Sequence, residues 1–216
     1  KQEIVQRGAE LRRERGNLER ISVATLEALV NALEAKDAYL RGHSARVADL
    51  SAMIAAEMGL SDEQIEMTRT AGRLHDIGKI GIREAVLHKH GPLSEEEFDH
   101  VKTHVLIGAQ ILAPLHHLRE VISYVRSHHE RYDGTGYPDG LVGDAIPVGA
   151  RILGVAEVFD ALTTARPYQE KMSQEQAVSR MRDLVGTVIS PDVHRALAAV
   201  ITRRRALVFI DEARSA

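Results

Sequence analysis

The chain has 216 residues, enough for one sizeable domain with a packed core. Its formal net charge of −3 gives no reason to expect a DNA or RNA partner, and its lack of cysteine excludes disulfides, thiolate metal sites and cysteine nucleophiles. No apolar run approaches the ~20 residues that span a bilayer and no signal-peptide pattern opens the chain, so we expect a cytoplasmic protein without a membrane segment.

The first 24 residues are strongly charged and predict a helix. Ile4, Leu11 and Leu18 lie seven residues apart within it, but one apolar residue per heptad is only half of a coiled-coil seam. A solvated helix and a dimerising linker therefore remain open as alternatives. We divide the chain into this linker at 1–24, a domain at 25–200 and a C-terminal tail at 201–216.

Apolar residues at helical spacing recur along most of the chain. Ser44 and Ser61 are expected to cap the N-termini of two helices, and the sequence SEEE at 94–97 is cap-like as well. The predicted helices cover 44–58, a segment from 61 onwards, 94–112, 118–129, 151–165, 174–185 and 191–201. No alternating strand of useful length and no internal repeat appears, so the predicted fold class is all-α.

The longest irregular stretch, residues 131–147, holds four glycines and two prolines. A compact domain rarely keeps about 15 or more structureless residues unless they serve a function or are disordered. The stretch begins beside His128 and His129. Adjacent histidines on a helix point about 100° apart, so they rarely share a packing role. This pair is therefore a candidate for ligand chemistry, whereas the pair at 116–117, without such a loop, is predicted to have none.

Eleven histidines in a chain without cysteine favour a metal held by nitrogen and oxygen atoms. In HDIGK at 75–79, His75 offers one nitrogen and Asp76 offers two oxygens, enough to bridge two metal ions. A lone His-Asp pair is weak evidence, and a buried aspartate needs a partner in any case. Taken alone, His43 is better read as a surface or capping residue. His104 lies four residues after His100, so ligand and solvated roles stay open for both.

Residues 151–165 are apolar nearly all round, which predicts a buried helix. Glu157 and Asp160 lie in its middle, three residues apart and on one side. Buried carboxylates need a cation, a metal ion or hydrogen-bond donors. A salt bridge is the ordinary explanation. The histidines elsewhere shift the interpretation towards metal, but they do not choose between the two carboxylates.

The pattern as a whole resembles the HD-GYP family of the HD-superfamily metal-dependent phosphohydrolases. It contains HDIGK at 75–79 and HHERYDGTGYP at 128–138, and its flanking matches are DAYLRGHSARV, HVLIGAQIL, IPVGARIL and DALTTARPY. The resemblance spans residues 25–195. It implies an HD-superfamily helical bundle with an N-terminal linker helix and a long Gly/Pro-rich GYP loop.

Members of that family hydrolyse cyclic di-GMP. The resemblance therefore implies a phosphodiesterase that yields pGpG and/or GMP through a hydroxide shared by two divalent metal ions. Imidazole and carboxylate ligands without thiolate suit iron, manganese, nickel or zinc, and the resemblance favours iron or manganese. It assigns the first metal to His43, His75, Asp76 and Glu157, and the second to Asp76, His104, His128 and His129.

The resemblance also assigns roles around the two metals. Lys79 would contact a phosphate oxygen or the leaving group beside the bridging, catalytic Asp76, and Arg166 would bind phosphate with two donors. The GYP residues would form a rim and a partner-docking surface; they are Gly136, Tyr137 and Pro138. Plain loop packing is the alternative for Tyr137.

Three positions depart from the family pattern. Glu157 replaces the usual aspartate, and its extra methylene shifts the carboxylate by more than ~1 Å, a displacement that can cost ~100-fold in rate. Gln169 replaces a common lysine. Tyr39 lies where three-metal members carry glutamate, so we expect two metals.

The first two departures motivate a second hypothesis, namely a weakened module that binds cyclic di-GMP or a partner protein and transmits a signal. A third hypothesis is a hydrolase of another cyclic dinucleotide, such as cyclic GMP-AMP. The charged N-terminal helix further suggests a homodimer and an upstream sensory or receiver domain.

Overall fold

The computed structural model describes residues 2–35, 41–89, 91–165 and 171–215, with side chains described between 6 and 204. These residues form ten α-helices and no β-strand, which confirms the all-α prediction. The helices are α1 Gln2–Glu34, α2 His43–Glu57, α3 Asp62–Leu74, α4 Glu84–Leu87, α5 Glu95–Lys102, α6 His104–Leu112, α7 Arg119–Ser127, α8 Val148–Thr163, α9 Gln174–Met181 and α10 Pro191–Ser215. Within this described part, no helix is both long and apolar enough to cross a bilayer.

Helix α8 lies at the centre of the bundle, in contact with α2, α3, α7, α9 and α10. Ile152, Leu153 and Val155 on α8 are completely buried, as expected for a helix that is apolar nearly all round. Burial of such side chains is the main favourable contribution to folding. The carboxylates of α8 are thereby held beside the ends of the surrounding helices.

Helices α2 and α3 cross at very short range. A Cβ added at Gly72 would lie 2.6 Å from Cα of Ala48, so only glycine allows this approach. The crossing brings the C-terminal end of α3, where His75 and Asp76 follow, beside the N-terminal end of α2, where His43 lies.

Two local predictions were wrong. Ser44 does not cap α2, because the helix already begins at His43, after Gly42 in a left-handed conformation with φ 73°. The predicted single helix 94–112 is interrupted at Thr103, where α5 ends and α6 begins with His104. Helix α10 continues to Ser215, so the predicted tail is helical through that residue. The predicted caps at Ser61 and Ser94 are confirmed, both as complete capping boxes.

Candidate metal centre

The ends of four helices and the middle of a fifth, α8, deliver the candidate ligands to one place. His43 opens α2, His75 and Asp76 follow α3, and His104 opens α6. His128 and His129 follow α7, and Glu157 lies on α8. The structure thus brings together all seven residues that the resemblance assigns to metal.

Three overlapping groups of these residues have donor atoms within 4.8 Å of one another. They are His43, His75 and Glu157; His75, Asp76 and His128; and His104, His128 and His129. The first and last groups share no residue and lie on opposite sides of Asp76. The donor set therefore has room for two neighbouring ions.

The two oxygens of Asp76 face different histidines. Oδ2 lies 3.5 Å from Nε2 of His75 and 4.0 Å from Nε2 of His43. Oδ1 lies 3.8 Å from Nε2 of His104. This division of its oxygens suits a carboxylate that bridges two metal ions with one oxygen on each.

The buried histidines carry free ring nitrogens that point into the centre. His75, His104 and His128 each donate Nδ1–H to a backbone carbonyl at 2.7 Å, which fixes the tautomer and leaves an Nε2 lone pair. Those three Nε2 atoms and Asp76 Oδ1 are buried without a hydrogen-bond partner. Buried polar atoms are rarely unpaired, and metal-binding histidines are usually oriented through their other nitrogen, so these residues fit divalent metal ions.

The geometry separates the two carboxylates of α8. Oε1 of Glu157 lies 3.8 Å from Nε2 of His75, and its Oε2 lies 3.8 Å from Nδ1 of His129, so Glu157 faces the centre. Asp160 instead lies behind His43, 2.7 Å from its Nδ1. Arg46 donates to both oxygens of Asp160 at 2.6 and 3.1 Å. Asp160 is thus placed to orient His43 rather than to bind a metal ion itself.

Burial and charge keep most of these groups in the protonation state that binds cations. Burial, reinforced by His129, holds the pKa of His128 well below its usual range, and burial together with His104 lowers the pKa of His129 to about 3. Burial raises the pKa of Asp160, but the hydrogen bonds from His43 and Arg46 outweigh it and lower that pKa to about 2. The imidazoles of His128 and His129 therefore stay neutral and can act as ligands, while the carboxylate of Asp160 stays ionised behind His43.

Lys79 lies beside Asp76 at the rim of the cleft. Its Nζ donates to Oδ2 of Asp76 at 2.6 Å, and a quarter of its side chain is exposed. Burial lowers the pKa of Lys79, but the nearby Asp76 carboxylate outweighs burial and raises it, so the ammonium stays charged. Arg166, Gln169, Tyr39 and His90 lie outside the described residues.

The GYP loop packs directly on the centre. The rings of Tyr137 and His129 stack with their centroids 4.9 Å apart, and the backbone N–H of Tyr137 donates to the carbonyl of His129. A Cβ on Gly136 would lie 2.2 Å from N of Arg131, so only glycine permits this approach. Glu130 accepts two backbone N–H groups of the loop, from positions 139 and 141. Tyr137 therefore both packs the loop and contacts a candidate ligand.

Sequence reasoning missed Arg46 and Glu130, since neither stands in a metal-ligand pattern. The remaining described histidines stay outside the centre. His100 accepts the N–H of Arg83 at 3.1 Å, and Nε2 of His194 lies 3.1 Å from the carbonyl of Val178. The pair at 116–117 is exposed.

A cleft of about 590 Å³ opens over the centre, a size typical of small-molecule sites. Its walls combine candidate metal ligands, aromatic rings and cations; they include His43, His128, His129, Glu157, Lys79, Phe98, Tyr137, Arg131 and Arg151. This mixture suits a planar, anionic ligand with phosphate groups.

The comparison with protein families matches residues 27–193 to the HD domain. The chain is 40% identical over 169 residues to the cyclic di-GMP phosphodiesterase response regulator RpfG of Xanthomonas campestris, covering 77% of this chain and 45% of the relative. It is also 40% identical over 178 residues to the 3'3'-cGAMP-specific phosphodiesterase 3 of Vibrio cholerae, covering 81% and 39%. The chain thus spans less than half the length of these relatives.

Two solved structures share the fold. A cyclic GMP-AMP specific phosphodiesterase of Vibrio cholerae superposes with a TM-score of 0.65 at 20% identity, covering 86% of this chain and 50% of that chain. An HDG"Y"P protein of Bdellovibrio bacteriovorus superposes with a TM-score of 0.60 at 24% identity, covering 74% and 51%. At these identities the likeness establishes the fold alone.

Proposed function

The chain belongs to the HD domain family and carries its HD-GYP pattern, and from this premise we propose that it is a metal-dependent phosphodiesterase that hydrolyses cyclic di-GMP to pGpG and/or GMP. The observation that carries the proposal is the set of buried, unpartnered donor atoms around Asp76. The names of relatives that share about 40% of aligned residues support the same reaction.

The proposal places one ion among His43, His75, Asp76 and Glu157, and the other among Asp76, His104, His128 and His129. Bound divalent ions, iron or manganese by family resemblance, would supply Lewis acidity for an in-line attack of water on phosphorus. The protein itself orients His43 through Asp160 and excludes bulk water by burying the histidines. Lys79 is proposed to turn from Asp76 to a phosphate oxygen of the substrate, and Arg166 is proposed to bind a phosphate with two donors.

The test is hydrolysis of cyclic di-GMP by anaerobically purified protein, with metal content measured on the same sample and products separated by chromatography. We expect pGpG or GMP from protein that holds two ions. Binding of cyclic di-GMP without turnover by two-metal protein would instead favour the weakened signalling module. Faster hydrolysis of 3'3'-cGAMP would favour the second candidate substrate, for which one of the relatives is named.

We expect Glu157→Asp to weaken metal binding and to lower turnover by up to about 100-fold. Although aspartate is the usual residue of the family at this position, the shorter side chain would here withdraw a carboxylate that lies 3.8 Å from nitrogens of both His75 and His129. Metal content and turnover should be measured for this variant and for the control Glu120→Asp, which makes the same change at an exposed site on α7. Turnover at or above the wild-type rate would mean that glutamate is not the better-fitting ligand here.

We further propose that α1 pairs with α1 of a second copy. Leu11 and Leu18, seven residues apart on this helix, are 65% and 64% exposed. Light scattering is expected to give the mass of a dimer for the wild type and of a monomer for the double variant Leu11→Glu, Leu18→Glu. A wild type that is monomeric at high concentration would contradict the pairing.

A further inference from the structure

Glu34, at the C-terminal end of α1, is a buried carboxylate with only 6% of its surface exposed. Its Oε2 accepts the backbone N–H of Gly42 at 2.9 Å, and its Oε1 accepts that of Ser44 at 2.7 Å. These two amides flank His43 at the start of α2. The first N–H groups of a helix have no acceptor within that helix, and here Glu34, at the end of α1, supplies the acceptor oxygens.

The N-terminal end of α2 has no cap of its own. Its N-cap residue is Gly42, which has no side chain that could accept a hydrogen bond from the helix. A negative charge is favourable at this end of a helix, and the two hydrogen bonds compensate the burial of Glu34. Glu34 therefore fixes the backbone on both sides of His43, while Asp160 fixes its ring through Nδ1.

The last turns of α1 are themselves anchored in the bundle. Val30, one turn before Glu34, is 1% exposed and belongs to the main apolar core. Val30 and Glu34 also line a second cavity of about 430 Å³, together with Asp76 and Lys79. The end of α1 and Asp76 of the metal centre therefore line the same cavity.

We propose that Glu34 is a positioning residue that ties the end of α1 to His43, so that the position of α1 sets the affinity of the metal site containing His43. The proposal rests on the assignment of His43 as a metal ligand. Nε2 of His43 lies 4.0 Å from Oδ2 of Asp76, so a small backbone shift at the start of α2 changes the distance between two ligands of one ion. A displacement of α1 would reach the centre by this path.

The experiment equilibrates Mn²⁺-loaded protein at graded free Mn²⁺ concentrations and counts ions per chain by elemental analysis. Glu34→Gln keeps the side-chain size but turns one acceptor into a donor that faces a backbone N–H. We expect it to weaken one of the two Mn²⁺ sites by about 10- to 100-fold, the usual effect of losing a partner behind a metal ligand. The affinity of the other site is expected to stay unchanged. Glu34→Asp, which keeps the charge but not the reach, should act in the same direction.

Glu27→Gln on the same helix is the matched control, because Glu27 lies 3.6 Å from Arg73 rather than at the start of α2. It should leave both affinities unchanged. If Glu34 merely stabilises the fold, Glu34→Gln lowers the melting temperature with both affinities unchanged or equally reduced, and the proposal is overturned. If the wild type binds no Mn²⁺, the titration is made with Fe²⁺, and a wild type that binds neither ion would overturn the proposed function along with this inference. Two unchanged affinities in Glu34→Gln overturn this inference alone.

Discussion

Replacing Asp76 by alanine is expected to remove both metal ions and to lower hydrolysis by about 10³-fold or more, since bound metals contribute several kcal/mol to such reactions. Its Oδ2 faces His75 and His43, while its Oδ1 faces His104, so the substitution removes a carboxylate ligand from both ion sites at once. The measurement is metal content and turnover on the same protein sample.

A stability measurement separates loss of metal from loss of fold. Ions that bind only the folded state raise the melting temperature. Mn²⁺ should therefore stabilise the wild type but not Asp76→Ala, while Asp76→Asn, with similar size and one neutral oxygen, should fall between them. Asp49→Ala is the control, because Asp49 is a half-exposed partner of Arg69 on the outer face of α2. Full metal occupancy in Asp76→Ala would refute the bridging assignment.

Local sequence patterns were enough for the fold class and for most of the helices. The capping boxes at Ser61 and Ser94 involve residues three apart, so their signal is complete within a few positions. The break at Thr103 escaped this reasoning because apolar residues keep a helical period through both α5 and α6. The period of the apolar residues shows which face of a helix is apolar, but it does not show whether the helix is interrupted.

The ligands of the candidate centre could be proposed from sequence, but the groups that hold them could not. Asp160 is 117 residues from His43 and 114 from Arg46, and no local spacing links them. The choice between Glu157 and Asp160 therefore needed the packing of α2 against α8. The role of Glu34 could not be predicted for a related reason. Its partners are backbone N–H groups, which nearly every residue has, so no sequence pattern marks them.

Replacing Gly78 by alanine is expected to lower both stability and metal affinity. Gly78 lies in the 3₁₀-helix Ile77–Gly81, just after Asp76, and packs on the start of α6. An added Cβ would lie 1.9 Å from the carbonyl oxygen of His104 and 2.5 Å from N of Gly108, both backbone atoms of α6 that a side-chain rotation cannot move aside. The two elements must separate, and such overpacking costs about 3 kcal/mol.

That loss corresponds to a fall in melting temperature of about 6–12 °C for a chain of this length. The same separation would pull Asp76 away from His104, whose facing atoms are now 3.8 Å apart, so Mn²⁺ should bind more weakly to the protein that remains folded. Gly16→Ala is the matched control, since nothing lies within 4 Å of its added Cβ and it should stabilise α1 by about 0.5–1 kcal/mol. Wild-type stability and Mn²⁺ affinity in Gly78→Ala would show that this contact does not set the spacing between Asp76 and His104.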